Sequence, residues 1–255
     1  MGRVDNPQPG GGGMPVGPAR PSVNPADIPG WQTPSTKALE TAAQQNLPLV
    51  VYFPGEGEGD TAWYGRELAE MAKKDAVFIR IPYNPDREKS LFDESVIPTS
   101  KLLTDNPSRD YKIPVGKATV LVTDSWGNEY FRFSTPPKHP ELKGAVDKVA
   151  DKVDATNKKL QKTYDVAKAA WDKKDHAGTL KAILKNFKEG IVGVSAQEET
   201  IRLYHELMDA VRAEVKDLSE KGGAEAEKQL KTMKTTYKGT AVAKDIDTAL
   251  AGLKK

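Results

Sequence analysis

Leu47-Pro48-Leu49-Val50-Val51-Tyr52-Phe53 runs directly into Pro54-Gly55-Glu56-Gly57-Glu58-Gly59-Asp60-Thr61-Ala62-Trp63-Tyr64. The first stretch is almost unbroken in apolar residues, where a half-exposed strand would alternate, so it reads as a central strand covered on both faces. The glycines make a turn. Asp60 or Thr61 then caps a helix over 62–74, whose large apolar positions are Trp63, Leu68 and Met71. Residues 76–81 form a second buried strand. Upstream, Ser35 or Thr36 caps a helix over 37–46 with a narrow face of Leu39, Ala42 and Ala43. The order is helix, strand, helix, strand, and its last three elements imply a parallel strand pair.

Residues 82–117 hold Pro98, Asn106-Pro107 and Pro114 and predict only a short helix near 88–94. A connection of that length is functional or an insertion. Residues 118–123 are a strand, 124–128 a turn with Gly and Asn, and 129–133 a second strand, which together make a hairpin. Tyr130 and Arg132 are expected on one side of that last strand, Phe131 and Phe133 on the other. After Pro136-Pro137 no strand signal remains. Leu142, Val146, Val149, Val153, Leu160, Tyr164, Ala167 and Trp171 keep helical spacing. Unbroken, such a helix of about 30 residues would span ~45 Å. A second helix carries Leu180, Ile183, Leu184 and Phe187. Ser195 and Glu198 form a capping box for a third, Gly222-Gly223 breaks it, and two more follow. Short loops between these helices imply antiparallel packing.

The 255 residues are 38% hydrophobic and 29% charged, with a net charge of +2. Enough chain is present to bury a core. The balance implies no strong electrostatic partner. Residues 31–137 carry 12 basic and 15 acidic side chains, and residues 138–255 carry 24 and 19. The lysines of the second part are interleaved with acids, so they read as a solvated helical face, and nucleic acid is not an expected partner. Residues 1–30, rich in Pro and Gly, read as a disordered tail. No apolar run approaches the ~20 residues of a membrane span. The expected location is cytoplasmic, or exported if a signal segment has been removed. With no cysteine in the chain, disulfides, thiol nucleophiles and Cys-bound metals are excluded.

Residues 31–150 resemble the thioredoxin-like fold. Trp31 precedes the first helix, Leu49-Val50-Val51-Tyr52-Phe53 is the central strand, and residues 111–129 (YKIPVGKATVLVTDSWGNE) run into a hairpin through an Asp-x-x-Gly turn. The resemblance implies an α/β domain with a central mixed sheet flanked by helices, followed here by an all-α bundle over 151–255. It also implies a dithiol just after the central strand and a cis-proline before the hairpin strand. Residues 54–64 have no sulfur, and Ala118 stands at the proline position, where a non-proline residue favours a trans peptide. Ile97-Pro98-Thr99 imitates the family tripeptide, but no clean strand follows it. Thiol–disulfide exchange needs a thiolate, so it is excluded.

Other chemistry is thinly represented. The 55–60 turn lacks the Lys-Ser/Thr of a phosphate loop. Glu56, Glu58 and Asp60 could gather a hard cation, but a solvated turn is the expected state, with no metal. His139, His176 and His205 fall in different elements. No cofactor is expected. Asp60, Trp63, Tyr64, Lys117, Ala118 and Thr119 are the candidate partner-binding residues, since the resemblance implies that both segments lie where the family has its reactive turn. The expected function is a non-catalytic, redox-inactive module that binds protein partners as a scaffold, adaptor or chaperone-like unit. The alternatives are an enzyme with non-thiol chemistry on that face, or contact with nucleic acid or the ribosome through the Lys-rich helices. The oligomeric state is left open.

Overall fold

The computed structural model describes residues 23–59, 62–90 and 95–253. Among them the chain runs α1 (Thr36–Gln45), β1 (Leu49–Phe53), α2 (Arg66–Lys74), β2 (Val77–Arg80), α3 (Pro107–Asp110), β3 (Thr119–Thr123), β4 (Glu129–Phe133), α4 (His139–Val146), α5 (Val149–Asp172), α6 (His176–Phe187), α7 (Ser195–Lys221), α8 (Gly223–Thr236) and α9 (Ala243–Gly252). No helix among the described residues is long and apolar enough to cross a membrane.

The strands form one mixed sheet in the order β2-β1-β3-β4. β1 pairs with β2 in parallel and with β3 antiparallel, and β3 and β4 make the hairpin. Every residue of β1 is buried, because both faces are covered, and its alternate side chains divide between two cores. Leu49, Val51 and Phe53 face α1 and the 102–113 segment. Val50 and Tyr52 face α2, α4 and the start of α5. The outer edge of β2 is closed by Gln32, which donates to Phe78 O at 2.8 Å and accepts from Arg80 N at 2.9 Å. Ser35 caps α1 by accepting from Ala38 N.

Five helices, α5 to α9, pack around a further core, separate from the two on the sheet, that includes Ile183, Leu207, Val211, Leu230 and Ile246. Val96 and Ile97 of the 82–117 connection also pack there. The Ile97-Pro98-Thr99 mimic is therefore a loop that braces the bundle, and 95–100 contains no strand.

Several expectations change. Residues 1–22 lie outside the described residues. The last part of the expected tail is ordered: Pro25–Asp27 is a turn of 3-10 helix, and Asp27 O accepts from Gly65 N at 2.8 Å. The long helix expected over 142–171 is two helices, broken after Val146; Val149 and Val153, past the break, still face the same sheet core as Leu142 and Val146, and Leu160 and Ala167 face the bundle. Asp147 and Lys148 join the two helices, and the expected boundary at 150–151 falls inside α5. Of the short helix expected near 88–94, residues 88–90 are irregular, and the rest, 91–94, lies outside the described residues. The capping box at Ser195 is absent: Ser195 is the first helical residue, and Asn157 Oδ1 of α5 accepts from Ala196 N at 2.9 Å instead. Tyr130 lies on the same side as Phe131 and Phe133. A register shift between Val122 and Thr123 leaves Tyr130 as the extra residue of a bulge.

Gln197, in the first turn of α7, is fully buried, and neither amide atom of its side chain has a partner among the described residues. An unpaired buried amide costs roughly 1–3 kcal/mol. Gln197→Met keeps the length and removes both polar atoms, so it is expected to raise stability by about 1 kcal/mol and Tm by roughly 2–4 °C. A thermal melt in which the variant is less stable would show that the amide has a partner such as buried water.

Candidate functional site

The turn after β1 and the loop before β3 meet at one end of the sheet, as the sequence implies. They meet too closely to leave a cleft. A Cβ built on Gly55 would lie 3.1 Å from Ala118 N and 3.2 Å from Gly116 O, so a side chain at 55 would have to displace the opposing backbone. Glu56 N reaches Gly116 O at 3.4 Å. Glu58 folds back over the turn: its Oε2 accepts from Tyr52 OH at 2.5 Å and from Gly55 N at 2.8 Å. Burial, and then the bond to Glu58, push the Tyr52 hydroxyl well above its ordinary range. It stays a donor to Glu58 and is no acid or base near neutrality.

The candidate residues separate. Asp60 lies outside the described residues, as does Thr61. Trp63 is 7% exposed. Its ring lies 5.8 Å from Trp31, 5.4 Å from Tyr52 and 6.4 Å from Phe78, centroid to centroid. This aromatic cluster draws residues 62–65 out of helical conformation, so α2 begins at Arg66 with Gly65 as its cap residue and no side-chain cap. Tyr64 is 46% exposed. It lines a shallow depression with His139 and Pro140. Lys117 is exposed, Ala118 half-buried and Thr119 buried in the sheet. Tyr64 and Lys117 are thus the accessible large side chains of the described candidates. No three His, Asp or Glu side chains gather in metal-binding geometry among the described residues. His139 lies near Glu67, His176 stacks on Trp171, and His205 lies against Tyr204.

Sequence reasoning missed a second locus, at the opposite end of β3. Asp124 is buried in the hairpin turn. Its Oδ1 accepts from Trp126 N at 2.9 Å and Asn128 N at 3.0 Å, and its Oδ2 from Asn128 Nδ2 at 2.7 Å and Tyr130 OH at 3.3 Å. So held, the Asn128 amide bridges to the loop between α6 and α7. It donates to Val192 O at 2.7 Å and accepts from Val192 N at 2.9 Å. This two-way pairing, 64 residues apart in sequence, imitates a strand contact and clamps the sheet to the bundle. Trp126 lies over Gly193, where a Cβ would stand 2.2 Å from the ring. The signal for this locus was the polar Asp124-x-x-x-Asn128 spacing, with Gly190 and Gly193 far downstream. The hairpin alone explained the first half, and nothing local tied it to the second.

Burial raises the Asp124 carboxyl above its usual value of 3.8, against the downward pull of its four donors. The sign follows. The folded state holds this proton more tightly than the unfolded chain, so the Asp124 contribution to stability falls as pH rises from the usual value through the raised one. The stability gap between the protein and Asp124→Asn, which lacks that titration, is expected to be widest below the usual carboxyl value of 3.8 and to narrow toward neutrality in urea unfolding. A gap that widens with pH would contradict this.

Beside the clamp, at the end of the sheet away from Gly55, lies an open groove of about 830 Å³. It is walled by the ends of α1, α2 and α4, the hairpin turn, α5 and the start of α7.

No family model matches the chain, and no curated protein matches it. Among solved structures, a DsbH Oxidoreductase is similar over 53% of this chain and 95% of its own length, at 15% identity and a TM-score of 0.33.

Proposed function

We propose that the chain is a thioredoxin-like module without redox activity, continuous with a helical bundle, which acts without catalysis as a protein-binding scaffold or adaptor. The strand order β2-β1-β3-β4, with β1 and β2 parallel and β4 antiparallel at the edge, supports the thioredoxin-like reading. The observation that carries the functional part is the closed turn. Where the resemblance implies a reactive dithiol opposite a proline, Gly55 abuts Ala118 and the Glu58 carboxylate is spent on Tyr52 and Gly55 N–H. No thiol nucleophile exists in the chain to stand there, and the engaged Glu58 is not free to act as a general base. The bundle supports a protein partner over nucleic acid, since Lys159, Lys168, Lys231 and Lys234 each pair with an acidic side chain.

The test is native co-purification of the full chain, with and without reductant. A stoichiometric protein partner, retained equally in both conditions, is the expected result. A strictly monomeric chain with no partner, or one whose partner is released by reductant, would overturn the reading.

A further inference from the structure

The groove at the sheet–bundle junction has a chemistry of its own. Its apolar surface comes from Leu47, Val146, Val149, Val153 and Trp126, the last 38% exposed. Its charged lining is lopsided: Asp75, Asp124, Asp147 and Asp154 against Lys74 alone. Asp124 is consumed by the hairpin turn, and Asp147 pairs with Lys143 one turn away on α4. That pair is exposed and exchangeable. Asp75 and Asp154 make no direct ion pair among the described residues, though Lys143 also lies within the electrostatic reach of Asp75.

The backbone adds the same sign. Residues 43–46, 74–75 and 146–147 are the C-terminal ends of α1, α2 and α4, and all three line the groove. Helix C-termini carry roughly half a negative charge each. Two N-termini also approach. That of α5 follows directly on the end of α4, and that of α7 has its Ala196 N–H taken up by Asn157. The groove is therefore apolar-floored and net acidic, in a chain whose overall charge is +2 and whose helical part leans basic.

We propose that this groove binds an extended segment of a partner protein in which apolar side chains alternate with Lys or Arg. Charge complementarity selects this occupant: the apolar residues fill the Leu47–Val153 floor while cations meet Asp75 and Asp154, and the guanidinium or ammonium groups find Trp126 for cation–π contact. The proposal rests on the binding reading above and names where binding occurs.

The test uses the full chain and two fluorescein-labelled nonapeptides, one alternating Lys with Leu, the other Glu with Leu. Anisotropy is expected to show saturable binding of the Lys/Leu probe, weakened at least tenfold by Asp75→Asn with Asp154→Asn, and falling with salt. The Glu/Leu probe should not bind. Amide shifts should map to Leu47, Asp75, Trp126 and Val153. Ala150→Trp, at an exposed position lining the groove, should block the probe with Tm unchanged. Equal binding of both probes, shifts centred on Tyr64, or indifference to these substitutions would overturn the proposal. So would a concentration-dependent dimer of the free chain abolished by the same substitutions, which would make a second copy the occupant. A native partner that co-purifies undiminished with Asp75→Asn and Asp154→Asn removes the groove but leaves the binding reading intact.

Discussion

Asn128→Ala is expected to lower stability by about 4 kcal/mol and to split unfolding into two transitions. The side chain is 5% exposed. Truncation removes three hydrogen bonds at once: one to Asp124 Oδ2, one to Val192 O and one from Val192 N. The Val192 N–H and C=O are left buried without partners, and a buried carboxylate loses a donor. Orphaned groups, more than the lost bonds themselves, set the size of the effect. Two transitions follow because this clamp joins two separate apolar cores, one on the sheet and one in the bundle. Hydrogen exchange read by segment during urea unfolding checks it. A loss below about 1 kcal/mol, with sheet and bundle still unfolding together, would show that α5 alone couples them.

Gly127→Ala is the second large effect, at about 3 kcal/mol. Gly127 sits at φ +86°, which an L side chain adopts only under strain. A Cβ there would stand 2.8 Å from Tyr111 Oη and 2.9 Å from Leu102 Cδ1. Both neighbours are fully buried and cannot swing away. Tyr111 OH donates to Gly127 O at 2.5 Å, so moving the ring also breaks the bond that seats the turn. Adding Leu102→Ala relieves part of the overlap, and the two losses are expected to be less than additive. Chemical denaturation of the two single variants and the double measures this directly. Strict additivity would mean that the clash with Leu102 contributes little.

The sheet was readable because its signals are local. Continuous apolar runs marked β1, β2 and β3, the Asp124–Asn128 turn marked the hairpin, and the Ser35-Thr36 pair marked the start of α1. The helices after Pro137 were readable from spacing, and Gly222 from its interruption of it. What was not readable depended on distant groups. Spacing through Leu142–Trp171 is continuous, so nothing local revealed the break at Asp147 and Lys148. Trp63 carries no mark that separates a surface aromatic from one drawn inward by Trp31, Tyr52 and Phe78. Ser195 with Glu198 has the form of a capping box, yet Asn157 already serves that helix end. The closed turn follows from Gly55, whose lack of a side chain lets Ala118 approach, and a glycine in a sequence does not say what approaches it.

The candidate site divides in the same way. Sequence brought Lys117, Ala118 and Thr119 to the same end of the sheet as the 54–64 turn, and the fold agrees. It did not foresee that this end would be sealed, or that the accessible groove would lie at the other end. Asp75, Trp126 and Asp154 are scattered over 80 residues and share no motif. They meet only because α2, the hairpin and α5 converge where the sheet joins the bundle.

Everything proposed for that groove requires the sheet and the bundle to be one body, with its walls fixed before a partner arrives. Differential scanning calorimetry of the full chain tests this most directly. The account predicts a single endotherm whose calorimetric and van't Hoff enthalpies agree. Two resolved endotherms, or a van't Hoff enthalpy well below the calorimetric one, would mean that sheet and bundle unfold independently and that the clamp at Asn128 and Val192 does not hold them together.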